Sequence, residues 1–246
     1  MTLATLVCLA ALAPPREQVT LVFKPALNDK ATYERTMAFK STDGTETYER
    51  VDRVSTRISQ RDSKGRFGVE TSYTLLKESI DGEQLDVPTN MKPGVTRETR
   101  TPQGALAIRS VVATDNPLDV FYAALATPAL NQVPVGIGDT WTHAYNLFSD
   151  EDLPVFQGTF QLIKLLPVEK PTQAVLRASF ADSSPKPLTA EGTITVRLDD
   201  GALVGLDLQL PRAYIPGGDA TTYQLHLTWN LIARNPATKP KPVVRE

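Results

Sequence analysis

Few residues in this chain of 246 are of the types that carry chemistry. There are two histidines and one cysteine. His143 and His226 stand far apart, each within a run that alternates like a strand, so they read as strand residues and not as paired ligands. Cys8 lies inside an apolar run, which leaves no thiol for catalysis or metal binding in the body of the chain. Asp150-Glu151-Asp152 is the densest acidic cluster, but it lacks the alternating oxygen ligands and the glycine of a calcium loop. Asp199-Asp200-Gly201 has the composition of a turn. Gly136 and Gly138 lack the third glycine and the following helix of a nucleotide loop. No nucleophile elbow, paired-histidine helix or phosphate loop is present. Catalytic residues: none; metal ligands: none; cofactors: none. The expectation is a protein without enzymatic activity.

The charge balance narrows the partners. Lys and Arg total 26 against 28 Asp and Glu, a net of −2, which disfavours nucleic acid and anionic membrane surfaces. Apolar residues make up 41% of the chain, enough for a sizeable core. Residues 1–16 read as a signal segment: Leu3 to Ala13 is apolar and too short to span a bilayer, and Ala11-Leu12-Ala13 has small-x-small spacing. No basic residue precedes that run, and Pro14 follows it directly. Export to a periplasmic or extracellular location is therefore expected, with no integral membrane span. Residues 17–234 read as one antiparallel β domain and 235–246 as a mobile, Pro- and Lys-bearing tail.

The elements follow from period. Asp43-Gly44 and Asp81-Gly82 mark hairpin turns, and Asp62 to Gly65 and Asp199 to Gly201 turn the chain again. Phe67, Val69, Thr71, Tyr73 and Leu75 recur at every second position. So do Phe156, Phe160 and Leu162; Ala174, Leu176, Ala178 and Phe180; Ile194, Val196 and Leu198; and Val204, Leu206, Leu208 and Leu210. Tyr223, Leu225, Leu227, Trp229 and Leu231 form the cleanest strand. Between residues 46 and 61 the alternation is imperfect, with Val51, Val54, Thr56 and Ile58 among Arg50, Arg53, Arg57 and Gln60, and its basic side reads as a solvated face. One helix is expected near the middle, opened by Asn116-Pro117 and closed at Pro128, with Leu118, Phe121, Tyr122 and Leu125 on one side. Val133 to Asp139 then turns to deliver Trp141 into a strand. The fold class is mainly β: about eleven antiparallel strands, too wide a sheet to lie flat, curled into an open barrel.

This layout resembles the LolA/LolB-like lipoprotein-carrier superfamily, and in particular uncharacterised secreted bacterial branches of it. In those a short Pro-x-x-x-x-Gly-Asp-x-Trp segment recurs, matched here by Pro134, Gly138, Asp139 and Trp141. The resemblance in layout spans residues 17–233. It implies an apolar cavity inside a curled sheet with a helix as its lid. The expected partner is then a lipid or other apolar ligand, touched by Phe121, Tyr122, Leu125, Trp141 and Trp229. The alternative is an envelope structural or protein-interaction domain with a packed interior.

Overall fold

The computed structural model describes residues 17–87, 93–111, 117–145, 156–215 and 221–235, the side chains of 108–111 and 117–120 excepted. The proposed leader, Asn116, the Asp150–Asp152 cluster and the tail beyond residue 235 lie outside these.

The strands are β1 (Gln18–Val19), β2 (Lys30–Ser41), β3 (Thr47–Arg61), β4 (Phe67–Ile80), β5 (Glu83–Gln84), β6 (Gly94–Arg100), β7 (Leu106–Val111), β8 (Val135–Gly136), β9 (Thr140–Tyr145), β10 (Phe156–Leu166), β11 (Gln173–Asp182), β12 (Thr189–Arg197), β13 (Leu203–Ala213) and β14 (Tyr223–Asn235). The helix α1 (Pro117–Leu125) falls between β7 and β8. Eleven strands pair antiparallel in the order β7-β6-β4-β3-β2-β14-β13-β12-β11-β10-β9, with β5 off the end of β4. The sheet is thus a meander in two halves, joined where β14 pairs β2. It curls until β7 and β9 nearly meet, an almost closed barrel with one seam. Closure of this kind hides the open edges that a flat sheet would expose.

The seam is filled by the chain that leaves α1. The Leu130 amide donates to the Gln103 carbonyl (2.8 Å), and the Leu106 amide donates to Thr127 Oγ1 (3.2 Å), which fixes this segment to the β7 side. On the β9 side Trp141 Nε1 donates to the Ala129 carbonyl (2.7 Å). Tyr145 Oη donates to the Thr127 carbonyl (2.9 Å) and accepts from the Ala129 amide (3.2 Å). The turn before Trp141 is set by Asp139, whose carboxylate accepts from the Gly136 amide (2.8 Å), while Gly138 takes a φ of 98°. The Pro134-to-Trp141 segment is therefore a turn that hangs an aromatic anchor on the seam.

One end of the barrel is plugged. β1 pairs β8, and the chain then carries Leu21 and Phe23 under the sheet, where Phe23 meets Phe67 edge-on at 5.1 Å. The Lys24 amide donates to the Asp200 carbonyl at 2.8 Å. Arg234 binds both Asp29 (3.1 Å) and Asp200 there. Gly201 has a φ of 70°, and a Cβ on it would come within 2.4 Å of the Val22 carbonyl oxygen, so the plug requires glycine.

The inward face follows from register, since residues directly opposite one another share a face. In the half built from β10 to β14 it is aliphatic and aromatic and fully buried: Phe160, Leu162, Leu176, Ile194, Val196, Leu208 and Leu210 are among its members. Helix α1 lies against this half. Phe121 meets Phe156 at 4.9 Å, and Tyr122 Oη donates to the Tyr214 carbonyl at 2.9 Å. Two sequence expectations need correction. Leu203, and not Val204, takes the inward position opposite Val196, because a bulge in β13 makes Val204 the extra residue. Arg50 does not belong to the solvated side of β3: it sits on the inward face, whereas Arg53, Arg57 and Gln60 of that group point out and are exposed.

Candidate functional site

The other half of the barrel, β2, β3, β4 and β6, has a different inner surface. Read across the strands, its rungs are Phe39–Tyr48–Ile80, Met37–Arg50–Glu78, Arg35–Asp52–Leu75, Tyr33–Val54–Tyr73 and Ala31–Thr56–Thr71–Thr96. Glu98 and Arg100 follow on the same side of β6. The inner surface therefore changes from aliphatic to polar, charged and aromatic at the β14–β2 junction.

Two bulges create this arrangement. Ser59 is an extra residue in β3 between Ile58 and Gln60, and Leu76 is an extra residue in β4 between Leu75 and Lys77. Each reverses the in-out parity of the residues after it. The bulge at Leu76 turns Glu78 inward opposite Arg50 and sends Leu76 outward, where it is exposed.

At the centre is Asp52, whose side chain is 0% exposed. Arg35 donates to its Oδ2 through Nη2 (2.6 Å) and Nε (3.1 Å). Arg50 donates through Nε to both carboxylate oxygens (3.0 and 3.1 Å). One buried carboxylate is thus shared by two guanidinium groups, with Glu78 opposite Arg50 as the next acid on this face. Burial opposes the charged form of Arg50, but its hydrogen bonds to Asp52 and the charge there raise its pKa on balance. Beside it Tyr48 Oη donates to Glu78, and burial followed by that bond pushes the Tyr48 phenol up to about 12. Arg35 also lies over the Tyr73 ring at 4.8 Å and within 6.0 Å of the Trp229 ring. Trp229 packs on Tyr33 at 5.6 Å. The Arg35 guanidinium is therefore held on one edge by Asp52 and flanked by two aromatic rings, a rigid placement for a cation.

Two features separate this surface from the packed half. First, several of its inward residues remain only half-buried: Tyr48, Arg50, Tyr73, Leu75 and Glu78. Solvent therefore reaches the concave side here. Secondly, polar atoms on it and at its β14 border are buried without a protein hydrogen-bond partner: Thr71 Oγ1, Thr96 Oγ1 and Arg100 Nε, and Trp229 Nε1 on β14. Orphaned donors are uncommon inside proteins, and each costs free energy unless something bonds it.

The residues expected from sequence as ligand contacts fall in three places. Phe121, Tyr122 and Leu125 are buried on α1 against the packed half. Trp141 belongs to the seam, stacked on Phe160 at 5.9 Å. Trp229 alone lies beside the Arg35–Asp52–Arg50 cluster, directly opposite Arg35 on β14. Sequence reasoning missed Arg35, Asp52, Arg50, Tyr48, Tyr73 and Glu78. One signal was available: Asp52 stands between Val51 and Val54 in a strand rich in arginine.

His143 sits on the inward side of β9, edge-on to Tyr145 at 5.0 Å, and burial lowers its pKa. His226 faces out and pairs with Asp207 at 2.9 Å. Among the described residues no three His, Cys, Asp or Glu side chains group as a metal site, and no helix is long and apolar enough to cross a membrane.

No protein-family model matches this chain, and no curated protein does. Among solved structures, DynF from the dynemicin biosynthesis pathway of Micromonospora chersina is similar over 90% of this chain and 85% of its own, at 13% identity and a TM-score of 0.20. A likeness of that score carries no argument about function.

Proposed function

We propose that this protein is a non-enzymatic binder of a small, largely apolar molecule. The ligand lies in a cleft on the inner face of β2–β4 and β14. The observation that carries this reading is the contrast between the two halves. The inner face of β10–β13 is sealed, whereas Tyr48, Tyr73 and Leu75 stay half-buried at positions that a packed barrel would close. Aromatic and aliphatic walls with a few fixed polar groups are the usual lining of a small-molecule site. Export follows from reading residues 1–16 as a leader, and kinship with the lipoprotein carriers is part of the same proposal.

The test is titration with Nile red, a neutral apolar dye. Saturable binding with a blue-shifted emission, weakened by Tyr73→Ala and Leu75→Ala, is expected. Absence of saturable binding overturns the reading and leaves the structural or protein-interaction domain in its place.

A further inference from the structure

Resting on that binding reading, we infer that the ligand is an anionic amphiphile. An oxyanion head, a carboxylate in the simplest case, meets the Arg35–Arg50 pair, and an apolar body runs along Tyr48, Tyr73, Leu75 and Trp229.

Asp52 satisfies one edge of each guanidinium. Glu78, the nearest further acid by register, stands opposite Arg50 and accepts from Tyr48 Oη. Arg35 spends Nε and one Nη on Asp52, so three of its five N–H bonds are not used there. Arg50 keeps 34% of its side chain exposed on the concave side, within reach of a molecule in the cleft. Guanidinium forks bind carboxylates with directional, charge-assisted hydrogen bonds.

Donor inventory points the same way. Trp229 is 6% exposed, stands opposite Arg35, and its Nε1–H has no protein acceptor. An indole N–H can only donate, so whatever completes it is an acceptor. Thr71, 2% exposed, and Thr96, 8% exposed, face each other one rung beyond Tyr73 with hydroxyls that no protein group bonds. A cationic ligand would meet two arginines and unfilled donors. A purely hydrocarbon ligand would leave the same donors unfilled. An oxyanion with an apolar body fits both the unused guanidinium donors and the orphaned Trp229 N–H.

The experiment displaces Nile red from the full chain with two probes of equal chain length, dodecanoate and dodecan-1-ol, at neutral pH. The expected result is a preference for dodecanoate of about tenfold to a hundredfold, the worth of one or two hydrogen bonds to a charged group. The variant Arg35→Met, Asp52→Leu, Arg50→Met, made together with Glu78→Gln, removes the charges that face one another here. It should lose the preference, read as the ratio of the two displacement constants. Arg50→Gln, which leaves Asp52 paired with Arg35, is the second variant and should lose part of it. Equal displacement by both probes from the wild type overturns the anionic head and leaves the cleft intact. A preference that survives in both variants overturns this location. Failure of Nile red to bind at all removes the binding reading itself, and this inference with it.

Discussion

Asp52→Asn is the most informative single substitution for stability. The amide keeps the shape of the carboxylate but removes the charge that holds two guanidinium groups facing each other. Arg35 has 14% of its side chain exposed and cannot rehydrate freely, so its loss belongs with broken buried pairs, at about 3–5 kcal/mol. Arg50 has 34% exposed and recovers much of its hydration, so its share is closer to that of a surface pair, about 0–1 kcal/mol. The sum is about 3–6 kcal/mol. With a urea slope of roughly 2–3 kcal/mol/M, the midpoint should fall by about 1–3 M. Urea unfolding followed by circular dichroism reads this directly. The triple variant Arg35→Met, Asp52→Leu, Arg50→Met should lie within about 1.5 kcal/mol of wild type, because apolar residues of similar volume often replace a buried ion group without loss. An Asp52→Asn midpoint within experimental scatter of wild type would refute the placement of this carboxylate in a desolvated site. A triple variant as unstable as Asp52→Asn would refute the view that the fold does not need these charges.

Two further outcomes follow from the packing. Trp229→Ala should cost about 3–5 kcal/mol, since the ring is buried on Tyr33, while Asn230→Ala on the exposed face of the same strand should cost under about 0.5 kcal/mol; equal costs in the same urea assay contradict the register of β14. His143 has a folded pKa below its unfolded value of about 6.5, so its neutral form is favoured in the native state. Its contribution is therefore complete above about pH 6.5 and declines as pH falls through that value towards the folded pKa; His143→Phe should flatten this part of the stability profile between pH 7.5 and pH 5, and an unchanged profile counts against it.

How much of this could be read from the chain depends on which half is considered. From β10 to β14 nearly all inward residues are apolar and most outward ones polar, so period two reports burial directly. The helix was legible for the same reason, through Phe121, Tyr122 and Leu125 at helical spacing. Glycine and aspartate placed the turns, as at Asp81 and Gly82, both with positive φ. The failures lie at bulges. Val204 took a core position in the sequence pattern because nothing in a period-two reading reveals an extra residue. The seam hydrogen bonds of Trp141 and Tyr145 join residues 12 to 18 apart through a segment without regular structure, and periodicity has no access to them.

The cleft was illegible for a deeper reason. Hydrophobic periodicity assumes that an inward residue is apolar, and on β3 and β4 the inward residues include Arg50, Asp52, Thr56, Thr71 and Glu78. An arginine run on an irregular strand is then assigned to solvent, which is the right reading for Arg53 and Arg57 and the wrong one for Arg50. The same fold supplies its own control. Its other half closes its inner surface mainly with leucine, isoleucine, valine, phenylalanine and alanine, so barrel geometry does not demand charge on the inner face. Burying Asp52 between two arginines costs desolvation of three ions and gives back, at best, about what it takes. The unfilled donors of Trp229 and the two threonines add cost with no return inside the chain. A sequence under pressure for stability alone would exchange these residues for the aliphatic set it already uses across the barrel. In the proposed reading a ligand uses them: the orphaned Trp229 N–H requires an oxygen acceptor, and the guanidinium forks of Arg35 and Arg50 suit a negative charge, with the apolar body behind it.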